Sequence, residues 1–155
     1  MKTTEIEFAQ VKNTFSMRCR VWAKIPAKPE AIWALLTDAK GFSRWNSTVT
    51  RIDGKIREGE RIRIHVPGTD RTFTPKVSGI VTNQRMTWSD GIPYVFRGLR
   101  NFELRPCNDN STEFVMEEKF DGVVFALVKG LLPDFKLIFE NYARDLKQEA
   151  EKTTV

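Results

Sequence analysis

The sequence predicts an α+β domain in which a curved antiparallel sheet wraps around one long C-terminal helix, with two short helices after the first strand. Three observations carry this. Most segments between Phe15 and Asp121 alternate apolar and polar residues with the period of a half-buried strand. Short turns join them, so neighbouring strands run antiparallel. After Val123 the alternation stops, and Phe135, Ile138, Phe139, Tyr142, Leu146 and Ala150 recur at spacings of three and four, the apolar stripe of an amphipathic helix.

Taken in order, residues 1–13 are polar and irregular apart from Ile6 and Phe8, which predicts a flexible arm ahead of a single domain over residues 14–155. Cys19, Val21, Ala23 and Ile25 alternate with Arg20, Trp22 and Lys24 to give the first strand, which ends at Pro26. Pro29 suits a first helical turn, where its missing N–H costs nothing. Ile32, Trp33, Leu35 and Leu36 continue that helix, Asp38 and Gly41 break it, and Phe42 with Trp45 predicts a second helical turn.

In TVTRIDGKIREGERIRIHV, setting Ile56 opposite Ile62 places Gly54 across from Ile64 and Ile52 across from Val66. The apolar residues then share one face, and Arg51, Arg57, Arg61, Arg63 and His65 the other. RTFTPKVSGIV and QRMTWSD form a hairpin around Asn83, with Gly79 marking a bulge or a close approach. YVFRGLRNFELRP and STEFVMEEKFDG pair across the turn CNDN. VVFALVKGLL precedes the long helix as a helical or loop segment, and Pro133 and Asp134 sit at that helix's start.

Composition narrows the function classes. A chain of 155 residues with 41% hydrophobic residues and 11 phenylalanines is long and apolar enough for one substantial core or for an enclosed hollow. No apolar run approaches the roughly 20 residues of a membrane span, so no integral membrane segment is expected. The start MKTTEIEFAQVKNTFSM scatters charges where a secretory signal needs an apolar core, which predicts a cytoplasmic protein. Cys19 and Cys107 are too few for a disulfide framework and read as structural. The formal charge of +5 is spread over strand-like segments rather than clustered, so nucleic acid is not expected as a partner. His65, the single histidine, lies on a predicted outer face, which excludes a triad or a metal site built on it; no metal and no cofactor are expected.

The stretches IPAKPEAIWALLTDAKGFSRWN, GKIREGERI, RMTW, FRGLRNFEL, TEFVMEEKFDG and NYARDLKQEAE, in this order and spacing, resemble the SRPBCC or START-like superfamily with its helix-grip fold, in the polyketide cyclase/dehydratase and lipid-transport-like branch. The resemblance covers roughly residues 17–151. It implies a single START-like ligand-binding domain, and relatives that include carriers of hydrophobic ligands, aromatic polyketide cyclases, coenzyme Q chaperones and activators of a protein chaperone. Two departures stand out. Ser47 follows Trp45-Asn46 where a proline is usual, which bears on loop stiffness. Arg100 stands where many relatives resemble one another in carrying a histidine, which removes histidine chemistry and installs a permanent positive charge.

The strand arithmetic gives Arg100 a meaning. Leu104 opposite Phe114 places Phe102 across from Met116, Arg100 from Glu118 and Gly98 from Phe120. Two inward charges of opposite sign then meet in an otherwise apolar row. The pair either fixes the sheet register or orients a ligand's carboxylate, phenol or carbonyl between sheet and helix. Trp88, Met86, Phe96, Phe102, Met116, Phe139 and Tyr142 are the other candidate lining residues, and Trp45 with Phe42 either gates the mouth or anchors the short helices. Glu118, Arg100 and Tyr142 are the candidates for catalysis, with Glu118 moving a proton and Arg100 stabilising an enolate.

Three functions remain open at this point. The leading one is binding, or transport, of a hydrophobic or amphipathic small molecule. A cyclase or dehydratase using the same hollow is the second. An interaction module with a filled core, presenting Trp22, the N-terminal arm or the basic face, is the third. The sequence leaves the oligomeric state unknown.

Overall fold

The computed structural model describes residues 6–152. Its nine strands are β1 (Ile6–Lys12), β2 (Ser16–Ile25), β3 (Arg51–Asp53), β4 (Arg63–His65), β5 (Thr72–Phe73), β6 (Lys76–Val81), β7 (Arg85–Ile92), β8 (Phe96–Pro106) and β9 (Thr112–Asp121). The helices are α1 (Pro29–Thr37), α2 (Phe42–Trp45), α3 (Val123–Val128) and α4 (Phe135–Lys152), with single 3-10 turns at Ala39–Gly41 and Lys129–Leu131. The expected α+β helix-grip architecture is present. A six-stranded antiparallel sheet in the order β1-β2-β9-β8-β7-β6 carries α4 on its inner face, against β1 and β2.

β2 owes its central place to strict alternation. Met17, Cys19, Val21, Ala23 and Ile25 are buried, whereas Arg18 and Arg20 are exposed and Trp22 and Lys24 only partly covered. α4 buries Phe135, Phe139, Tyr142, Ala143, Leu146 and Ala150 on one stripe, so the helix is held by tertiary packing of its apolar face. Burial of a side chain such as Phe102, Phe114 or Phe139 contributes roughly 1.5–3 kcal/mol. At its start the Asp134 Oδ1 accepts from the Lys136 N–H, 3.0 Å away, satisfying a donor that the helix leaves free.

Three expectations are corrected. Residues 6–12 of the expected arm form β1, an edge strand paired with β2 from Ile6 opposite Ala23 to Lys12 opposite Met17. The weak alternation was therefore structural: Ile6 and Phe8 pack against the core, and the Phe8 ring meets Phe139 at 5.9 Å. Residues 1–5, the remainder of that expectation's start, lie outside the described residues. The β3–β4 register is shifted by two positions, with Ile52 opposite Ile64 rather than Val66. An even shift conserves faces, so Ile52, Ile56, Ile62 and Ile64 remain buried together. Thr72–Phe73 leaves the expected strand and pairs with β4, which makes β3-β4-β5 a separate three-stranded sheet. Backbone bonds between Gly59 and Val77, and between Ile62 and Pro75, tie that sheet to the β6 edge. The β6–β7 hairpin does break register between Ser78 and Val81, where Gly79 has φ +64.

Candidate functional site

The β8–β9 register is the predicted one: Leu104 faces Phe114, Phe102 faces Met116, Arg100 faces Glu118 and Gly98 faces Phe120. Because β9 also pairs with β2 and β8 with β7, one transverse row crosses four strands as Cys19, Glu118, Arg100 and Trp88. All four share the inner face of the sheet, whose β1–β2 side carries α4. The Arg100 Nε and a terminal guanidinium nitrogen donate to the two Glu118 carboxylate oxygens, each at 3.1 Å. This fork holds both partners in one orientation. The side chains are only 17% and 14% exposed, so water screens the pair weakly.

The charges change their neighbours. Burial works against the Arg100 charge, but the facing Glu118 carboxylate more than offsets it and the guanidinium is held above its ordinary range. Burial, reinforced by Glu118, pushes the Cys19 thiol up to about 11, so it is an inert thiol that donates weakly to Gln10 Oε1. The guanidinium also stands over two rings of α4, with its carbon 5.3 Å from the Phe139 centroid and 5.8 Å from that of Tyr142.

On either side of this row lie two aromatic groups. Toward the α2 end, Trp88 packs on Phe102 at 4.7 Å and Phe42 on Trp45 at 4.9 Å, while Tyr142 touches the rings of Phe42, Trp45, Phe102 and Phe114 at 6.1–6.5 Å. Met86 and Met116 are buried beneath. Toward the other end, Phe120 joins Phe96 at 6.1 Å and Phe135 at 5.2 Å, and Phe135 meets Phe139. The structure thus sets Trp88 beside Arg100 and the rings of Phe139 and Tyr142 under its guanidinium, gathers Phe102, Trp45, Met86 and Met116 in the first group with Tyr142, and sets Phe96 in the second. Trp45 and Phe42 are buried and anchor α2 onto α4.

Between sheet and helix these side chains are buried and pack on one another. Hollows of about 350 and about 520 Å³ lie elsewhere, one over Arg20, Arg85, Asn101, Glu103 and Arg105 on the sheet's outer face, the other beside Phe15, Tyr94 and Val123.

The inner aromatic group has an unusual polar inventory. The Trp45 Nε1, Trp88 Nε1 and Tyr142 hydroxyl are buried, and among the described residues none has a hydrogen-bond partner. Each is a donor, and each left unsatisfied costs about 1–3 kcal/mol. Burial, opposed in part by Arg100, raises the Tyr142 phenol above its ordinary value of 10. Keeping that phenol neutral therefore contributes stability that is complete below pH 10 and is lost as the pH climbs toward the folded value. In a Tyr94→Phe variant, where Tyr142 is the sole tyrosine, the tyrosinate absorbance should rise only well above pH 10 and together with loss of the circular-dichroism signal. A rise near pH 10 without unfolding would show an accessible phenol.

Some site residues were not anticipated. Cys19 and Gln10 extend the charged row; alternation along β2 signalled Cys19, whereas Gln10 sits on the edge strand that the alternation did not reveal. Glu149 is buried on α4 and its carboxylate accepts from one Arg44 nitrogen at 2.7 and 2.8 Å, tying α2 to α4. It falls three residues after Leu146 on the helix stripe, a spacing that marks burial although the residue type does not. His65 lies on the separate three-stranded sheet, 2.9 Å from Asp53 Oδ2. The Arg51 guanidinium, and after it His65, lowers that exposed carboxyl to about 2.

Residues 16–151 match the family model described as polyketide cyclase / dehydrase and lipid transport. No curated protein matches the chain. Among solved structures, the chain is similar to the Zhui aromatase/cyclase from Streptomyces sp. R1128, with a TM-score of 0.71 and 13% identity over 90% of this chain and 96% of that one. It is also similar to a START superfamily protein from Mycobacterium smegmatis, with a TM-score of 0.67 and 15% identity over 88% of this chain and 98% of the other. A protein from Rhodobacter sphaeroides gives 0.69 and 20% identity over 96% and 99%. These identities speak to the fold.

Proposed function

Because this chain belongs to the polyketide cyclase/dehydrase and lipid transport family, we propose that it binds, and in the simplest case carries, a hydrophobic small molecule bearing oxygen acceptors, taken up between the sheet and α4. The observation that carries this reading is the set of three buried donors, on Trp45, Trp88 and Tyr142, inside a group of aromatic rings. An apolar interior that offers two indole N–H groups and a phenolic O–H is complementary to a carbonyl or phenolic oxygen on a flat apolar body. Uptake has to displace side chains that pack on one another, and α2 is the element suited to move. It is one turn long and brings only Phe42 and Trp45 into the core.

Arg100 and Glu118 fit the binding reading better than the catalytic one. A general base needs a carboxylate oxygen free to accept a proton, and both Glu118 oxygens are engaged by Arg100. A cyclase or dehydratase would have to break this fork before proton transfer.

Native mass spectrometry of the purified protein, followed by extraction and identification of any retained molecule, tests the proposal. The expected result is an adduct carrying at least one carbonyl or phenolic oxygen. Tyr142→Phe should weaken its retention by roughly tenfold while leaving the melting temperature unchanged or higher, since the variant removes an unsatisfied buried hydroxyl. Unchanged retention in Tyr142→Phe, or an adduct without acceptor oxygens, would exclude the proposed donor set.

A further inference from the structure

One end of the molecule gathers the β1–β2 turn, the β7–β8 turn and the segment that leads from β9 through α3 to α4. Backbone bonds fasten them together, from the Gly122 N–H to the Phe15 carbonyl, from Val123 to Tyr94 and from Val124 to Val95. Large apolar side chains point outward from all three: Phe15 from the first, Ile92 and Tyr94 from the second, and Val123, Leu127 and Leu131 from the third. Exposures of 88% for Tyr94, 82% for Leu127 and 85% for Leu131 are those of free side chains. Val123 and Leu127 share one face of α3, and Leu131 follows in the 3-10 turn; all three are turned to solvent, while Phe125 faces the core. A patch of this kind marks a docking surface.

The charge around it identifies the partner. Lys12, Arg97, Lys119, Lys129 and Lys136 lie within these segments or on the strand ends beside them. Against them stand Asp90 near the end of β7, Asp121, shared by Arg97 at 3.0 Å and Lys119 at 3.7 Å, and Asp134, which caps α4. The end is therefore apolar at its tip and positive at its rim. A second copy meeting this end would bring the two positive rims together. A surface of anionic lipid headgroups satisfies both features, with the apolar tips entering the headgroup boundary and the lysine stems reaching back to the phosphates. Among the described residues no helix is long and apolar enough to cross a membrane. We propose that this end docks onto an anionic lipid bilayer through Tyr94, Val123, Leu127 and Leu131. The docking does not depend on what the interior takes.

Vesicle co-sedimentation of the full chain tests this, comparing phosphatidylcholine alone with phosphatidylcholine containing about 30% phosphatidylserine. Binding to the anionic vesicles should be at least about tenfold stronger and should fall at about 0.5 M salt. Leu127→Glu/Leu131→Glu should abolish it with an unchanged melting curve, because both side chains are exposed. Lys129→Glu/Lys136→Glu, a second variant with an intact apolar tip, should lose the preference for phosphatidylserine. Absence of binding, equal binding to both vesicles, or binding that survives the paired leucine changes in a folded protein would overturn the proposal. A concentration-dependent dimer by light scattering that the leucine changes abolish would overturn it in favour of self-association.

Discussion

Arg100→Met should lower the free energy of unfolding by about 3–5 kcal/mol, because it leaves the Glu118 carboxylate beneath α4 without its forked partner. The companion Arg100→Met/Glu118→Leu should recover most of that loss, since two apolar side chains in this row remove the stranded charge as well as the attraction. Urea unfolding of the wild type, both single variants and the double variant closes the cycle and gives the coupling energy. Ligand retention separates the two roles the sequence left open. A double variant that is stable but no longer retains the molecule found by mass spectrometry would assign the pair to the ligand. Retention at wild-type strength would assign it to the sheet.

Gly122→Ala should destabilise the fold by about 3 kcal/mol or more. Gly122 has φ +122 and ψ 167, a region that only glycine enters readily, and it joins β9 to α3. A Cβ there would stand 2.3 Å from the Val95 carbonyl oxygen and 2.9 Å from the Phe96 nitrogen, both backbone atoms that cannot swing aside. Relief requires the Val95–Phe96 peptide or the start of α3 to move, and either motion breaks the bonds from Val123 to Tyr94 and from Val124 to Val95. Gly130→Ala, with nothing within 4 Å of its Cβ, is the control and should change stability little. A small effect at Gly122, or comparable effects at both positions, would show that this junction yields.

The β8–β9 register was legible because two constraints met. Alternation excludes any odd slip, which would turn the apolar row of one strand to solvent, and of the even registers only the observed one sets Arg100 opposite Glu118 rather than Met116 or Phe120. The β3–β4 pairing obeyed the first constraint and was still misjudged by two residues, because an even slip keeps every isoleucine inside and alternation cannot detect it. β1 was missed for another reason. Only Ile6 and Phe8 face the core from that edge strand, and two residues are too few to set a period.

What the sequence determined by itself is therefore the succession of strands and helices after β1, apart from the split of β5 from β6, the faces they bury and the charged pair in the row, all of which follow from side-chain periodicity and short-turn pairing along the chain. The tertiary structure decided how the interior is filled, that Trp45, Trp88 and Tyr142 bring their donors into one aromatic group, and that three turns distant in sequence place their apolar tips at one end. Those are meetings between residues on different elements. Periodicity specifies which face a side chain takes, but only the closure of the sheet and the seating of α4 determine which other side chains it meets there.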